Sequence, residues 1–151
     1  IIMGYDEHWG GGGVAGSVAS LGFVEDGIVR TLEDVPADKV INAVPFYTRV
    51  WKTKEDTVTS EALDMQTAKN FIQNNTLNMV WNPVAAQNYG ETQKGDTFYQ
   101  IWMEDAQSIR AKLEVMDKYK IAGVAAWKLG YETEARCRNI LLDVFRFSRK
   151  C

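Results

Sequence analysis

Three short groups of residues in this sequence combine side chains that could bind or orient a substrate. In the first group, Met3 and Tyr5 share one face of a strand by the two-residue period, and Asp6 follows at its end. A phenol beside a carboxylate can orient a polar group and balance a developing positive charge. The spacing alone also fits a buried tyrosine followed by an aspartate that caps a loop.

The second group places Tyr47 and Arg49 on one face of another strand. Arginine supplies fixed donors for sugar hydroxyls or a carboxylate, and tyrosine supplies a stacking surface with a polar tip. A structural ion pair of Arg49 explains the same residue equally well.

The third group centres on Trp127, which follows Ala125 and Ala126. The small neighbours leave room for a ring to approach the indole, and aromatic faces of this kind stack on pyranose rings. The alternative is an indole that fills the centre of a barrel.

Each group lies at the carboxyl end of an apolar run that is typical of a buried strand. The predicted strands are residues 1–5, 40–47 and 123–127, and the predicted helices are residues 20–35, 104–119 and 134–147. Strands that alternate with helices indicate a parallel sheet. Half of a doubly wound sheet and a slice of a (β/α)8 barrel both fit, and both bind ligands at the carboxyl ends of their strands.

The middle of the chain has a different pattern, which predicts a small α+β insertion. Residues 60–75 have the spacing of a helix, and residues 78–84 and 97–103 are rich in strand-forming residues. Turn residues at 88–90 and 94–96 separate the two runs, so we expect them to form an antiparallel hairpin.

The composition excludes several classes of function. The net charge of −3, with no basic stripe, argues against nucleic-acid binding. No segment approaches the roughly 18 uninterrupted apolar residues of a membrane span. His8 is the only histidine, so histidine triads and multi-histidine metal sites are impossible within this chain, and we expect His8 to make hydrogen bonds in its loop. The four glycines at 10–13 lack the lysine of a phosphate-binding loop, and no cofactor or metal is expected.

Taken together and in order, the three groups resemble motifs of the family 18 glycoside hydrolases. The matching strings are Met3-x-Tyr5-Asp6, Pro45-x-Tyr47-x-Arg49 and Gly123-x-x-x-Trp127-x-Leu129-Gly130-x-Glu132. Residues 5–9 and 101–109 further resemble the bacterial branch that is associated with spore cortex lysis and cell walls. The resemblance covers essentially the whole chain.

The resemblance implies the C-terminal portion of a (β/α)8 TIM barrel, an α/β fold. Residues 1–51 would hold barrel strands six and seven, residues 52–103 an α+β insertion, and residues 104–151 strand eight with its flanking helices. The implied substrate is a polysaccharide that contains N-acetylglucosamine, such as peptidoglycan or chitin. An extracellular, cell-wall or spore location follows from the family alone.

The resemblance also implies a retaining mechanism in which the substrate's own N-acetyl oxygen attacks the anomeric carbon. By motif position, Tyr5 and Asp6 are the catalytic residues: Tyr5 would bond the acetamido group, and Asp6 would bind the same sugar. The substrate-binding residues are Met3 at the pocket wall, Trp127 at its floor, and Tyr47 and Arg49 near the cleavage point.

The family's catalytic acid ends a D-x-x-D-x-D-x-E motif, and that motif is absent because no two aspartates here lie three apart. The chain also opens within an apolar run, so we expect a fragment whose acid lies upstream of Ile1. Such a fragment would be inactive alone, and its unpaired strand edges would favour self-association. Thr48, where chitinases often have glycine, and Lys128 after the tryptophan weaken the case for strict chitin specificity.

Two alternatives remain open at this point. The parent chain could be a non-catalytic, lectin-like homologue that binds carbohydrate after loss of the acid. The chain could also be a self-contained α/β interaction domain.

Overall fold

Two β-sheets organise residues 1–131, which are the residues that the computed structural model describes. The strands are β1 Ile2–Met3, β2 Ile41–Pro45, β3 Tyr47–Lys54, β4 Thr57–Asp64, β5 Val80–Asn82, β6 Gln87–Lys94, β7 Thr97–Met103 and β8 Gly123–Trp127. The α-helices are α1 Leu21–Leu32, α2 Met65–Asn74 and α3 Ala106–Lys118, and a single 3-10 turn spans Ala37–Lys39. The predicted helix 134–147 and Glu132 of the third motif lie outside the described residues.

The first sheet is parallel, in the order β1-β2-β8. Helices α1 and α3 pack against it, and their apolar stripes form one core with the sheet, which includes Val24, Ile28, Val44, Ile109 and Leu113. Both helices begin at side-chain caps, which satisfy backbone donors that the first turn leaves without partners. The predicted βα order is therefore confirmed, as are the helices within residues 20–35 and 104–119.

The second sheet is antiparallel, in the order β4-β3-β7-β6-β5, and α2 covers one of its faces. The single helix expected over residues 60–75 is wrong in its first part. Residues 60–64 belong to β4, which pairs along its whole length with β3. Helix α2 begins only at Met65 because Asp64 is in extended conformation and accepts bonds from the backbone of Gln66 and Thr67.

The expected hairpin of residues 78–84 with 97–103 is also wrong. β5 and β7 both occur, but β6 lies between them and pairs with each. Residues 88–90 form part of β6 rather than a turn, whereas the turn before Thr97 lies as expected at Gly95 and Asp96. Both faces of β6 are largely polar and its second half is mostly exposed, so its sequence resembles a loop more than a strand.

The chain passes from the parallel sheet to the antiparallel sheet at Phe46, whose backbone N–H donates to the carbonyl of Trp127 at 2.6 Å. This corrects the position expected for Tyr47 and Arg49. The two residues lie on β3 of the antiparallel sheet, not on the parallel strand β2, which ends at Pro45. Phe46 and Tyr47 still pack in the first core, whereas the second core lies around Val50 and Ile101. The fold of the described residues is thus mixed α/β, with the two sheets joined directly beside Tyr47.

Within residues 1–131, none of the helices has the length and apolar character that crossing a membrane requires.

Candidate functional site

Four of the six candidate residues meet at the carboxyl edge of the parallel sheet. The ring of Tyr5 lies 6.5 Å from Trp127, with the two planes inclined by 27°. The same ring meets Tyr47 edge-on, at 6.2 Å and 76°. The Tyr47 hydroxyl donates a hydrogen bond to Oδ1 of Asp6. One carboxylate is therefore set among three aromatic side chains, an arrangement that we call the edge cluster: Tyr5, Asp6, Tyr47 and Trp127.

The order of the strands explains why these side chains converge. Tyr5 and Asp6 follow β1 after Gly4, Trp127 ends β8, and Tyr47 lies just past the end of β2, which runs between those two strands. The backbone N–H of Gly4 still bonds the carbonyl of Ala43 at 3.0 Å, so the chain leaves the sheet only after this residue. Asp6 then adopts a left-handed conformation with φ of 63°, which aspartate tolerates better than most residues. This turn leaves its side chain exposed at the sheet edge.

Both phenols of the edge cluster remain protonated at neutral pH. Burial raises the pKa of Tyr47, and the hydrogen bond to Asp6 raises it further. Burial also raises the pKa of Tyr5, as does the negative charge of Asp6. The two hydroxyls are thus neutral donors that flank a carboxylate.

Trp127 offers the cluster's open aromatic surface. Its side chain is 53% exposed although one face lies beside Tyr5. An indole held in this way can take the apolar face of a pyranose ring. Met3 is also exposed, at 68%, but it lies at the end of β1 and is not among the residues that these contacts join.

Arg49 does not join the edge cluster. Its Nη1 donates to Oγ of Ser60 on β4 at 2.9 Å, and its buried Nε lacks a partner among the described residues. Gly10 lies against the guanidinium, where an added Cβ would be 3.2 Å from Nη1. Arg49 is therefore covered by the loop that follows Asp6, and the ion pair considered from the sequence is absent from the described part of the chain.

That loop, residues 7–20, closes on itself at its base. The N–H of Glu7 donates to the carbonyl of Val18 at 3.0 Å, and the Glu7 carboxylate accepts from the N–H of Ser20 at 2.7 Å and its hydroxyl at 3.0 Å. Higher up, Nδ1 of His8 lies 2.9 Å from the carbonyl of Ser17, which confirms the expected hydrogen bonding of this histidine. Trp9, 58% exposed, projects from the loop.

A group of buried polar residues beneath the loop was not predicted from the sequence. Ser17 donates to Oε1 of Gln87 at 2.5 Å, and Nε2 of Gln87 donates to Oε1 of Glu104 at 2.5 Å. Lys112 lies 3.0 Å and 3.1 Å from the two oxygens of Glu104. The side chains of Glu104 and Lys112 are fully buried, and burial raises the pKa of the Glu104 carboxyl despite the opposing effect of Lys112.

Two acidic residues precede α3 and do different things: Asp105 caps the helix, whereas Glu104 binds Lys112 in the interior. The spacing of Glu104, Ser108 and Lys112 in the sequence could have indicated that they are buried. Ser108 and Lys112 lie four residues apart beside the buried Ile109, on the inward face of α3, and Glu104 stands four residues before Ser108, just ahead of the helix.

Among residues 1–131, no three histidine, cysteine, aspartate or glutamate side chains come together in a way that could hold a metal ion.

Comparison with known proteins gives the same family as the sequence motifs. The sequence model described as "Glycosyl hydrolases family 18" matches residues 1–132. An uncharacterized glycosylase of Bacillus subtilis, YvbX, is 29% identical over 135 residues, which are 89% of this chain and 39% of that protein. The cortical fragment-lytic enzyme of Bacillus subtilis is 28% identical over 134 residues, covering 86% of this chain and 31% of the enzyme.

Structural comparison extends the likeness to a solved chitinase. The crystal structure of a chitinase from Chromobacterium violaceum superimposes with a TM-score of 0.81 at 23% identity, and the match covers 95% of this chain and 44% of the chitinase. At this identity the match shows a common fold. The chain spans well under half the length of each of these three proteins.

Proposed function

The chain belongs to family 18 of the glycosyl hydrolases, and we propose that it supplies the sugar-holding part of a glycosidase that cleaves N-acetylglucosamine-containing polysaccharide. In this proposal it forms strands six to eight of a (β/α)8 barrel. Residues 1–51 and 104–151 would contribute to the barrel and residues 52–103 would form the insertion between strands seven and eight, with β3, Tyr47–Lys54, running from the first part into the insertion. The chain spans less than two fifths of YvbX, which leaves length in such relatives for the other strands.

The edge cluster is the observation that carries the proposal. It combines an exposed carboxylate, protonated phenols and an open indole at the edge where parallel α/β folds bind their ligands. A pyranose ring could lie on Trp127 while its acetamido group takes the hydroxyl of Tyr5 and the carboxylate of Asp6.

The proposed mechanism is retaining and substrate-assisted. The acetamido oxygen attacks the anomeric carbon, so the enzyme provides no nucleophile. Asp6 and Tyr5 hold and orient the acetamido group, and Tyr47 fixes Asp6 through its hydroxyl. A general acid outside this chain protonates the leaving oxygen, a contribution worth about 10²–10⁴ in rate. Met3 and Arg49 remain proposed contacts to the pocket wall and to a neighbouring sugar.

Peptidoglycan is the substrate that we favour over chitin. A relative described as a cortical fragment-lytic enzyme supports it, and so does the likeness of residues 101–109 to that bacterial branch. We accordingly propose a spore or cell-wall location for the parent protein, and a mechanism that requires no cofactor.

Binding of chitotetraose to the 151-residue chain, measured by isothermal titration calorimetry, tests the sugar pocket. Trp127→Ala should weaken binding about tenfold or more, since a stacked aromatic contributes roughly 0.5–1.5 kcal/mol beyond its buried area. Trp81→Ala on β5, an edge strand of the other sheet, is the matched control and should bind like the wild type. Equal affinity of all three proteins would refute the pocket.

Hydrolysis separates the enzyme from a non-catalytic, carbohydrate-binding homologue. We expect the 151-residue chain to release no reducing sugar, and the parent chain with its upstream segment to release it. A parent chain that binds but does not hydrolyse, with the final glutamate of D-x-x-D-x-D-x-E replaced, would support the lectin-like alternative.

A further inference from the structure

The buried carboxylate of Glu104 reaches two separate parts of the candidate site. Its side chain accepts four hydrogen bonds: one from Gln87, one from Ser108 and two from Lys112. Each donor is itself fully buried. A buried carboxylate is stable only when its oxygens are satisfied in this way, because an ionised group without partners is costly to desolvate. The Glu104–Lys112 pair is therefore held in one geometry by its surroundings.

One branch from Glu104 leads to the loop that follows Asp6. Gln87 bridges the Glu104 carboxylate and the hydroxyl of Ser17 with two contacts of 2.5 Å. Ser17 in turn anchors the loop, since its carbonyl binds His8 and its hydroxyl accepts from the N–H of Ala19 at 3.0 Å. The position of residues 7–20 is thus tied to the side chain of Glu104, which precedes α3.

The other branch leads to the start of β3. The backbone N–H of Glu104 donates to Oγ1 of Thr48 at 2.8 Å, and Thr48 is fully buried. Thr48 lies between Tyr47 and Arg49, so this bond fixes the stretch of backbone that carries both. The hydroxyl of Tyr47 in turn donates to Asp6, so both branches end at Asp6 or at the loop that follows it.

We propose that Glu104, with Gln87 as its link, is a positioning element that sets the separation between the loop behind Asp6 and the strand that carries Tyr47. The element touches no substrate and acts through Asp6 and Tyr47. Both branches start at Glu104, so a shift of Glu104 moves the loop behind Asp6 and the strand that carries Tyr47 together. The inference rests on the proposed function for its effect on sugar binding, but not for its effect on the loop.

The first test measures the loop without any ligand. Gln87→Leu keeps a side chain of similar volume and removes both bridging bonds. We expect amide hydrogen exchange of residues 7–20 to become about tenfold faster, as loss of a buried hydrogen bond worth about 1.4 kcal/mol requires. Exchange in β2 and β8 should not change. Ser17→Ala removes the bond to Gln87 and the bond that the hydroxyl accepts from Ala19, but it keeps the bond between Gln87 and Glu104. It has the same expected direction if Gln87→Leu fails to fold.

Ile101→Val is the matched control, because Ile101 is fully buried in β7 but lies in the second core and not in the polar group. It should lower stability without a selective effect on residues 7–20. Equal protection of the loop in wild type, Gln87→Leu and Ser17→Ala would overturn the proposal.

The second test measures chitotetraose affinity and asks whether the effect passes through Asp6. Gln87→Leu should weaken binding about threefold to tenfold, and it should cause no further loss in an Asp6→Asn background. A loss of the same size in both backgrounds would indicate general loosening and would contradict positioning. If wild type does not bind the sugar at all, the proposed function fails, while the exchange measurement still decides the positioning role.

Discussion

Asp6 accepts a hydrogen bond from the buried Tyr47, and this bond limits the directions from which another group can bind the carboxylate. Because burial and the Asp6 charge raise the pKa of Tyr47, the phenol stays a donor throughout the neutral range. One oxygen of Asp6 therefore accepts from Tyr47, and a substrate group bound to Asp6, as we propose, would approach through the exposed remainder of the side chain. This favours an oriented, singly bonded contact over a bidentate one.

Tyr47→Phe tests this contact. Removing the hydroxyl should lower the free energy of unfolding by about 1.5–3 kcal/mol, the usual contribution of a hydrogen bond to a charged group, or somewhat less because Asp6 is exposed. Urea unfolding followed by circular dichroism gives the value. Tyr99→Phe is the control, since the Tyr99 hydroxyl has no bond to another described residue, and it should change stability by only a few tenths of a kcal/mol. Equal effects of the two substitutions would contradict the contact.

Asp64 supports a second prediction at the same scale. It caps α2, and hydrogen bonds from the side chain and the backbone of Thr67 lower its pKa. Asp64→Ala should therefore cost about 1 kcal/mol at neutral pH. A carboxyl whose pKa is lower in the folded state stabilises above its unfolded pKa near 3.9, and that contribution is lost as the pH falls through the folded value.

The difference in stability between wild type and Asp64→Ala should consequently shrink as the pH is lowered from 6 towards 3. Urea unfolding at a series of pH values measures it. A difference that stays constant over this range would show that the carboxylate form of the cap contributes nothing.

Single residues also show how far the sequence could predict the site. The two-residue period and the strand ends were enough to place Tyr5, Asp6 and Trp127 at one edge. They could not show that Tyr47 bonds Asp6, because that contact depends on the chain crossing between sheets at Phe46. Gln87 is further from prediction, since nothing in the sequence around a single polar residue shows that it is buried until its distant partner is known.

At the scale of elements, local sequence preference accounts for the two wrong predictions within residues 52–103, the helix over 60–75 and the hairpin of 78–84 with 97–103. Residues 60–64 include good helix formers and run directly into α2, so a helical period continues across the boundary. Pairing with β3 outweighs that preference. Strand β6 was missed because it is polar on both faces. Alternation in the sequence is visible only when one face of a strand is apolar. Strands β2 and β8 pack against helices, so their residues are mostly apolar and the sequence predicted them correctly.

The loop of residues 7–20 gives a prediction at this scale. A Cβ on Gly16 would lie 2.5 Å from Cγ of His8, so Gly16→Ala must displace the ring. We expect a loss of about 1–3 kcal/mol in stability, together with faster amide exchange in residues 7–20.

Gly22→Ala is the matched control for Gly16→Ala. It adds the same methyl group in α1, where nothing lies within 4 Å, and should stabilise the protein by about 0.5–1 kcal/mol. Both values come from urea unfolding. Stabilisation by Gly16→Ala would mean that His8 does not pack there.

At the scale of the whole molecule, the two sheets play different parts. The antiparallel sheet has its own core and carries Tyr47 and Arg49 on β3. The parallel sheet ends at the edge cluster, with β1 and β8 as its outer strands within residues 1–131. The mixed fold and the family were both predictable from the sequence, because three motifs in fixed order constrain the topology more than any single element does.

The outer strands of the parallel sheet lead to a prediction about assembly. Unpaired parallel edges invite pairing with another chain, so we expect the 151-residue chain to self-associate as its concentration rises. Sedimentation velocity over a wide concentration range measures this. Ile1→Lys adds a charge beside β1, where Ile1 is 85% exposed, and should weaken the association. A monomer at every concentration would contradict the prediction.

The closed base of the loop has a consequence for how such proteins can diverge. Glu7, Val18 and Ser20 hold the two stems together at the base, away from the glycines at positions 10–13. The cost of changing the length of a closed loop grows only slowly with the number of residues. Insertions or deletions confined to the glycine-rich tip should therefore leave Asp6 in place, so that the tip can change in sequence and length while the edge cluster keeps its geometry.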